Sequence, residues 1–322
     1  MFVSAKDCEN IIGGMEFSNF SPTPMAQSLK SGGAIGKPSK RKKLRMNIFD
    51  IFKSKWSAFD MTGEDRKKLF WYLKRKTSYA AWRREAEIFD QFAGIYQQQV
   101  REEPVAPGVM ETNWKLFYPD VLKAQAFYEQ ALERLLQGDR SIFLYNSRAG
   151  LSQATTLAGF WYTELVNHGM REDHFWIGKY EPQLTAVMRR FFDAAQQRGY
   201  LESQTEDEPA PEAWSTLWWD EFAKLPLPDT ASLPEVAEPA SEVLVRTGNP
   251  VPTFGIYEPQ IKDGCMNYLL GGTTAPTIWE SDGTYETENT LNVTWRLIWE
   301  DTRYIDGTIP AEERAYFPAA SR

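Results

Sequence analysis

An α+β fold, with an N-terminal helical bundle followed by a small, mostly antiparallel β region, is predicted by three features of the 322-residue sequence. Apolar residues recur at helical spacing between about residues 62 and 198. An acidic, proline-rich stretch follows, and beyond Val243 the apolar period becomes two. The chain is 42% apolar and 14% aromatic, enough burial to offset chain entropy and to exclude a wholly disordered protein. Its two cysteines, Cys8 and Cys265, exclude a disulfide scaffold and a zinc site built on several thiolates. With only His168 and His174 besides, no metal and no cofactor is expected.

Residues 1–45 stand apart. They hold eight basic residues against three acids, so the net charge of −8 divides into +5 here and −13 over the remainder. Rich in Ser, Gly and Pro and without periodicity, the segment is expected to be a disordered tail, or an extension upstream of a true start at Met46. Asp7, Glu9 and Glu16 rule out a secretory signal in the first twenty residues, and no run approaches ~18 uninterrupted apolar residues. Cytoplasmic residence without membrane contact is the expectation. Ile48, Phe49, Phe52, Trp56 and Phe59 suit a helix docked on its own domain.

The helical domain is expected over residues 46–200. Thr62-Gly-Glu-Asp65 has the form of an N-cap with first-turn acids, followed by Leu69, Tyr72 and Leu73 at helical spacing. After Ser78, Trp82, Ile88, Phe89, Phe92 and Tyr96 share a face. Pro119 is expected to open a helix running to about Gln137, with Gly138 as its C-cap, and further helices are expected at about 152–167 and 183–198. Residues 201–242 form a Pro-rich linker, in which Glu202–Glu242 holds eleven acids, one base (Lys224) and six prolines, with a short helix near Trp214–Leu225. Residues 243–322 form the β-rich subdomain, packed on the helical one. Its strands are expected near Val243/Val245, Phe254–Tyr257, Thr277–Trp279 and Leu291–Trp299.

Tests for catalysis give little. No phosphate-binding glycine motif and no G-x-S-x-G occurs. Glu164, His168, Asp173 and His174 have metal-ligating chemistry without a recognised spacing, and charges at a helix end account for them more simply. Cys265, opening an apolar run, has the setting of a buried small hydrophobe rather than a nucleophile. The Glu286/Glu288 pair lacks accompanying pocket signals, and Glu300-Asp301, beside Trp299 and Arg303, suits ion pairing at a strand end. The chain is expected not to be an enzyme. Between Arg66 and Arg84, basic residues alternate with Phe70, Trp71, Tyr72, Tyr79 and Trp82, which raises a nucleic-acid-associated regulatory role as the alternative. The aromatic spacing suits a core, with the bases expected on the solvent side, so direct nucleic-acid binding is not the main expectation.

The most distinctive motifs are C-terminal: Gly255-Ile-Tyr-Glu-Pro259, Gly264-Cys-Met-Asn-Tyr-Leu-Leu-Gly-Gly272, Trp295-Arg-Leu-Ile-Trp-Glu-Asp-Thr-Arg-Tyr304 and Asp306-Gly-Thr-Ile-Pro310. With Lys67-Lys-Leu-Phe-Trp-Tyr-Leu-Lys74 and Ala81-Trp82, they resemble the immunity protein 71/72 type of bacterial polymorphic toxin systems. The resemblance covers most of residues 46–318. It implies a non-catalytic antitoxin that binds a cognate toxin, of the kind delivered by contact-dependent or type VI secretion, and protects the producing cell. It supplies no catalytic residues. An acidic partner suits a toxin with a basic, phosphate-binding cleft, so a nuclease acting in the cytoplasm is the expected target. Interface candidates are Glu202, Glu206, Asp207, Glu208 and Glu212 for charge, and Trp214, Trp218 and Trp219 as aromatic anchors.

Overall fold

In the computed structural model, the described residues are 62–103, 113–144, 147, 150–166, 178–198, 233–236, 238, 242–261, 264–281 and 288–317. The basic tail, the amphipathic run 46–59 and residues 201–232 of the linker lie outside them. Residues 53–322 form one compact unit.

Five α-helices are found among the described residues: α1 (Gly63–Lys76), α2 (Tyr79–Glu102), α3 (Asn113–Leu136), α4 (Leu151–Leu165) and α5 (Glu181–Arg198). Thr62 caps α1 through a reciprocal capping box: its hydroxyl accepts from the Asp65 N–H, and the Asp65 carboxylate accepts from the Thr62 N–H. Ser78 caps α2 by accepting from the Ala81 N–H. Helix α3 begins at Asn113, six residues before the expected start, so Pro119 lies inside it. As the seventh residue it lies past the four N–H groups that lack intrahelical partners, so it removes the bond its N–H would make to Lys115 O, and the first turn ahead of it is held by the buried Trp114. Gly138 closes α3 as expected. It adopts φ +81°, with Gly138 N–H donating to Leu135 O and Asp139 N–H to Arg134 O, the two bonds of a Schellman cap.

The β region is a four-stranded antiparallel sheet of order β1-β6-β2-β3, from β1 (Leu244–Arg246), β2 (Gly255–Pro259), β3 (Asn267–Leu269) and β6 (Thr294–Glu300). A separate antiparallel pair comprises β4 (Ile278–Ser281) and β5 (Glu288–Leu291). The β2–β6 register shifts between Ile256 and Tyr257, which pair with Trp299 and Leu297, so Ile298 is the extra residue of a bulge. The bulge lets Ile298 and its neighbour Trp299 both pack towards α1.

Three apolar clusters hold the unit together. The largest joins α2–α5 through residues such as Phe89, Phe92, Tyr96, Trp161 and Phe191. The second places Leu69, Phe70, Trp71, Tyr72 and Leu73 of α1 with Ile256, Cys265, Met266 and Ile298. Tyr257, Trp295 and Leu297, with Ile278 of β4, form the third. One face of the sheet thus meets α1 and the other meets the β4–β5 pair. Alternation of side chains along β2 makes this division: Ile256 belongs to one cluster and Tyr257 to the other.

Candidate functional site

The sequence-based interface candidates Glu202, Glu206, Asp207, Glu208, Glu212, Trp214, Trp218 and Trp219 all lie outside the described residues. So do His168, Asp173, His174 and Glu286. Among the described residues, no group of three or more His, Cys, Asp or Glu side chains could hold a metal ion. Cys265 is buried with Met266 among apolar residues of α1 and the sheet, the setting expected of a packing cysteine.

The basic face of α1 and α2 differs from its expected placement. Lys67, Lys74 and Arg75 are buried, not solvent-facing. Arg66 forks onto Glu258 at 2.7 and 3.2 Å, and Lys67 meets Glu235 at 2.8 Å. Lys74 meets Glu312 at 2.5 Å and lies 4.7 Å from the Trp71 ring centroid and 4.9 Å from that of Trp299. Arg75 donates to Gln197 O, Arg83 pairs with Glu87, and Arg84 donates to Gln197 Oε1. Burial lowers the pKa of Lys74 despite Glu312, and takes Arg75 down to about 10. Helical periodicity placed the aromatics correctly, but it could not show that the cations between them reach carboxylates and carbonyls from distant segments. A phosphate backbone would have to compete with these internal partners, which weighs against the nucleic-acid alternative.

The densest polar arrangement joins the end of β6 to the helices. Asp301 is buried and accepts from Arg140 at 2.9 Å, from Arg303 at 2.7 and 2.8 Å, and from the Tyr268 hydroxyl at 2.9 Å. Burial alone would raise its pKa, but Arg303 and Arg140 outweigh that and hold the carboxyl at about 2. Burial likewise pushes the Tyr268 phenol well up, with Asp301 adding to it. Glu300-Asp301 was expected to form ion pairs at a strand end, and Asp301 does so. Arg303 also donates to the carbonyls of Lys74 and Thr77 and to the Thr77 hydroxyl. A cation therefore sits at the carbonyl end of α1, where the helix dipole is negative.

The N-terminus of α2 is capped from the same segment. Its Tyr79 N–H donates to the Tyr304 hydroxyl at 2.7 Å, and its Ala80 N–H donates to Glu313 at 2.9 Å. Tyr304 in turn donates to Glu313. With Ser78 serving Ala81, the first three N–H groups of α2 are all satisfied. Glu313 belongs to a short 3₁₀ helix (Ala311–Ala315) and is buried, and burial raises its pKa. Tyr304 has φ +67°, the left-handed region in which a bulky residue is strained. The strain is held by its two hydrogen bonds and by Arg140, whose guanidinium lies 4.8 Å from its ring centroid.

A second buried pair, Arg198–Glu85 at 2.8 Å, lies inside the helical half, with the Tyr128 hydroxyl donating to Glu85 and Arg198 stacked 3.7 Å from the Trp82 ring centroid. In the first network the ionisable groups bond to one another and to helix ends, although Nε and Nη1 of Arg140 have no partner among the described residues; in the second, Glu85 takes both Arg198 and Tyr128. Sequence analysis could flag the Asp301–Arg303 proximity but not Arg140, Glu85 or Glu313, whose partners are far away in the chain.

Two family models match. Immunity protein 71 covers residues 60–224, and Immunity protein 72 covers residues 260–317, the stretch that follows β2 and runs from β3 past Asp301, Arg303 and Tyr304 to Glu313. No match was found among curated proteins or among solved structures. The first model spans half the chain, the second most of its β region, and both agree with the motifs in Lys67–Lys74 and Trp295–Tyr304. The chain belongs to the Immunity protein 71 family, with an Immunity protein 72 segment at its C-terminal end, and is an immunity protein of the kind that neutralises a toxin.

Proposed function

We propose that this immunity protein acts in the cytoplasm by sitting tightly on a cognate secreted toxin, a nuclease of a polymorphic or type VI system, and blocking its substrate cleft without turnover. The observation that carries the reading is the net charge of −13 outside residues 1–45, together with the pairing of Arg66, Lys67 and Lys74 of α1 to Glu258, Glu235 and Glu312. Each pair cancels one charge of either sign, so the excess carboxylates remain to meet a basic, phosphate-binding cleft. Long-range attraction of this kind speeds encounter and is weakened by salt.

The buried ion networks support steric occlusion by a stiff body. Rigid elements lose little conformational freedom on docking, so more of the contact energy remains as affinity. Among the described residues no helix is long and apolar enough to cross a membrane. The test is a titration of the purified cognate toxin domain, identified by co-purification with this chain, with nucleic-acid cleavage as readout. Inhibition should saturate at a fixed stoichiometry, with association slowing as salt rises. Cleavage unaffected by excess immunity protein would remove the reading.

A further inference from the structure

Between the residues that cap α1 and α2, the chain makes an outward excursion over Ile305–Ile309. Ile305 is 69% exposed and Ile309 is 47% exposed, and Ile305 is the most exposed of the large apolar residues described. Single exposed apolar side chains are ordinary on a monomer. Here two lie four residues apart on a backbone fixed at both ends.

Upstream, Arg303 and Tyr304 are locked into the network described above. Downstream, Pro310 leads into the 3₁₀ helix that carries Glu313. Within the excursion, the Gly307 N–H donates to Tyr304 O, and the Asp306 carboxylate accepts from the Thr308 N–H and hydroxyl. The Ile305 backbone lies against Gly138, where an added Cβ would stand 3.2 Å from Ile305 Cα. The loop therefore rests on the C-terminus of α3.

We propose that the Ile305–Ile309 loop is the apolar anchor of the toxin interface, seated in an apolar depression ringed by basic residues on the toxin. This deepens the proposed function and rests on it. Charge complementarity selects this occupant. Exposed Asp306 lies between the isoleucines, exposed Glu133 lies about one turn back on α3, and the carbonyl end of α3 adds the negative pole of its dipole. Arg134, the nearby cation on α3, is tied to Asp139 at 2.8 Å. An anchor fixed before binding needs no ordering on docking, the condition under which a few side chains carry most of an interface.

The test uses the full chain and, as probe, a catalytically inactive form of the toxin domain that co-purifies with it. Ile305→Asp should weaken binding at least ~100-fold, and Ile309→Asp about 10-fold, with unchanged thermal melting. Leu244→Asp, at a site 57% exposed on β1, should bind as the original chain does. If the original chain binds and Ile305→Asp binds within about threefold of it, the loop assignment falls while toxin binding stands. If the original chain fails to bind, both fall. Should Ile305→Asp not fold, amide exchange decides: slowed exchange over 305–309 in the complex supports the assignment, and unchanged exchange overturns it. Concentration-dependent self-association abolished by Ile305→Asp would give the loop to a second copy and overturn it equally.

Discussion

Asp301 and Glu313 occupy one continuous network yet titrate in opposite senses, and each sign has a consequence for stability. Asp301 is held at about 2 by Arg303 and Arg140, below an unfolded value of about 3.9. Its contribution is present above pH ~4 and lost as pH falls towards 2, on the order of 2–3 kcal/mol. Urea unfolding at pH 5 and pH 2.5 should show that loss. Glu313 is raised by burial, so its contribution is full below its unfolded pKa and declines as pH rises through the folded one. Glu313→Gln should remove that decline while keeping an acceptor for the Ala80 N–H, making stability flatter as pH rises above the unfolded value of about 4.3, by the same measurement. Arg303→Met should cost about 3–5 kcal/mol, because it strands Asp301 with one guanidinium and leaves the Lys74 and Thr77 carbonyls short of a donor.

At the scale of elements, the C-terminal segment closes helix ends that α1 and α2 cannot close alone. It also rests on the Schellman turn of α3. Gly138→Ala should destabilise by about 1–2 kcal/mol, from the left-handed backbone alone, since φ is +81°. Close approach to Ile305 adds to that, and chemical denaturation would measure the sum. Local signals made much of this level legible. Thr62, Ser78 and Gly138 marked helix ends because caps act within a few residues, and the alternation in β6 marked a strand. Proline favours the first turn of a helix, so local pattern starts α3 at Pro119; the turn before it forms because Trp114 packs on Tyr96 of α2, a contact no local signal shows. Strand β3 passed unnoticed, since three residues within Cys265–Leu270 are too few to establish a period. Helical periodicity put the cations of α1 in solvent. Lys67 and Lys74 are buried and paired with Glu235 and Glu312, and Arg66 pairs with Glu258, partners that no local pattern connects to them.

For the whole molecule, the fold turns two chemically different halves into one unit. Aromatic packing of α1 on the sheet supplies the apolar joint, and the Asp301 network supplies the polar one. The expected interface acids and tryptophans of the linker lie outside the described residues, and the proposed loop at Ile305 is placed by contacts across the fold that no local pattern shows. Because most basic residues of α1 and α2 are paired within the fold, heparin retention should come from the basic segment 1–45 and should be abolished by replacing Lys40, Arg41, Lys42 and Lys43 with Ala. Strong retention that persists in that variant would revive direct nucleic-acid binding by the helices. The most direct measurement is survival. Cells expressing the toxin that co-purifies with this chain should grow at the toxin-free rate when the immunity protein is present and die when it is absent. Equal killing with and without it would contradict the account.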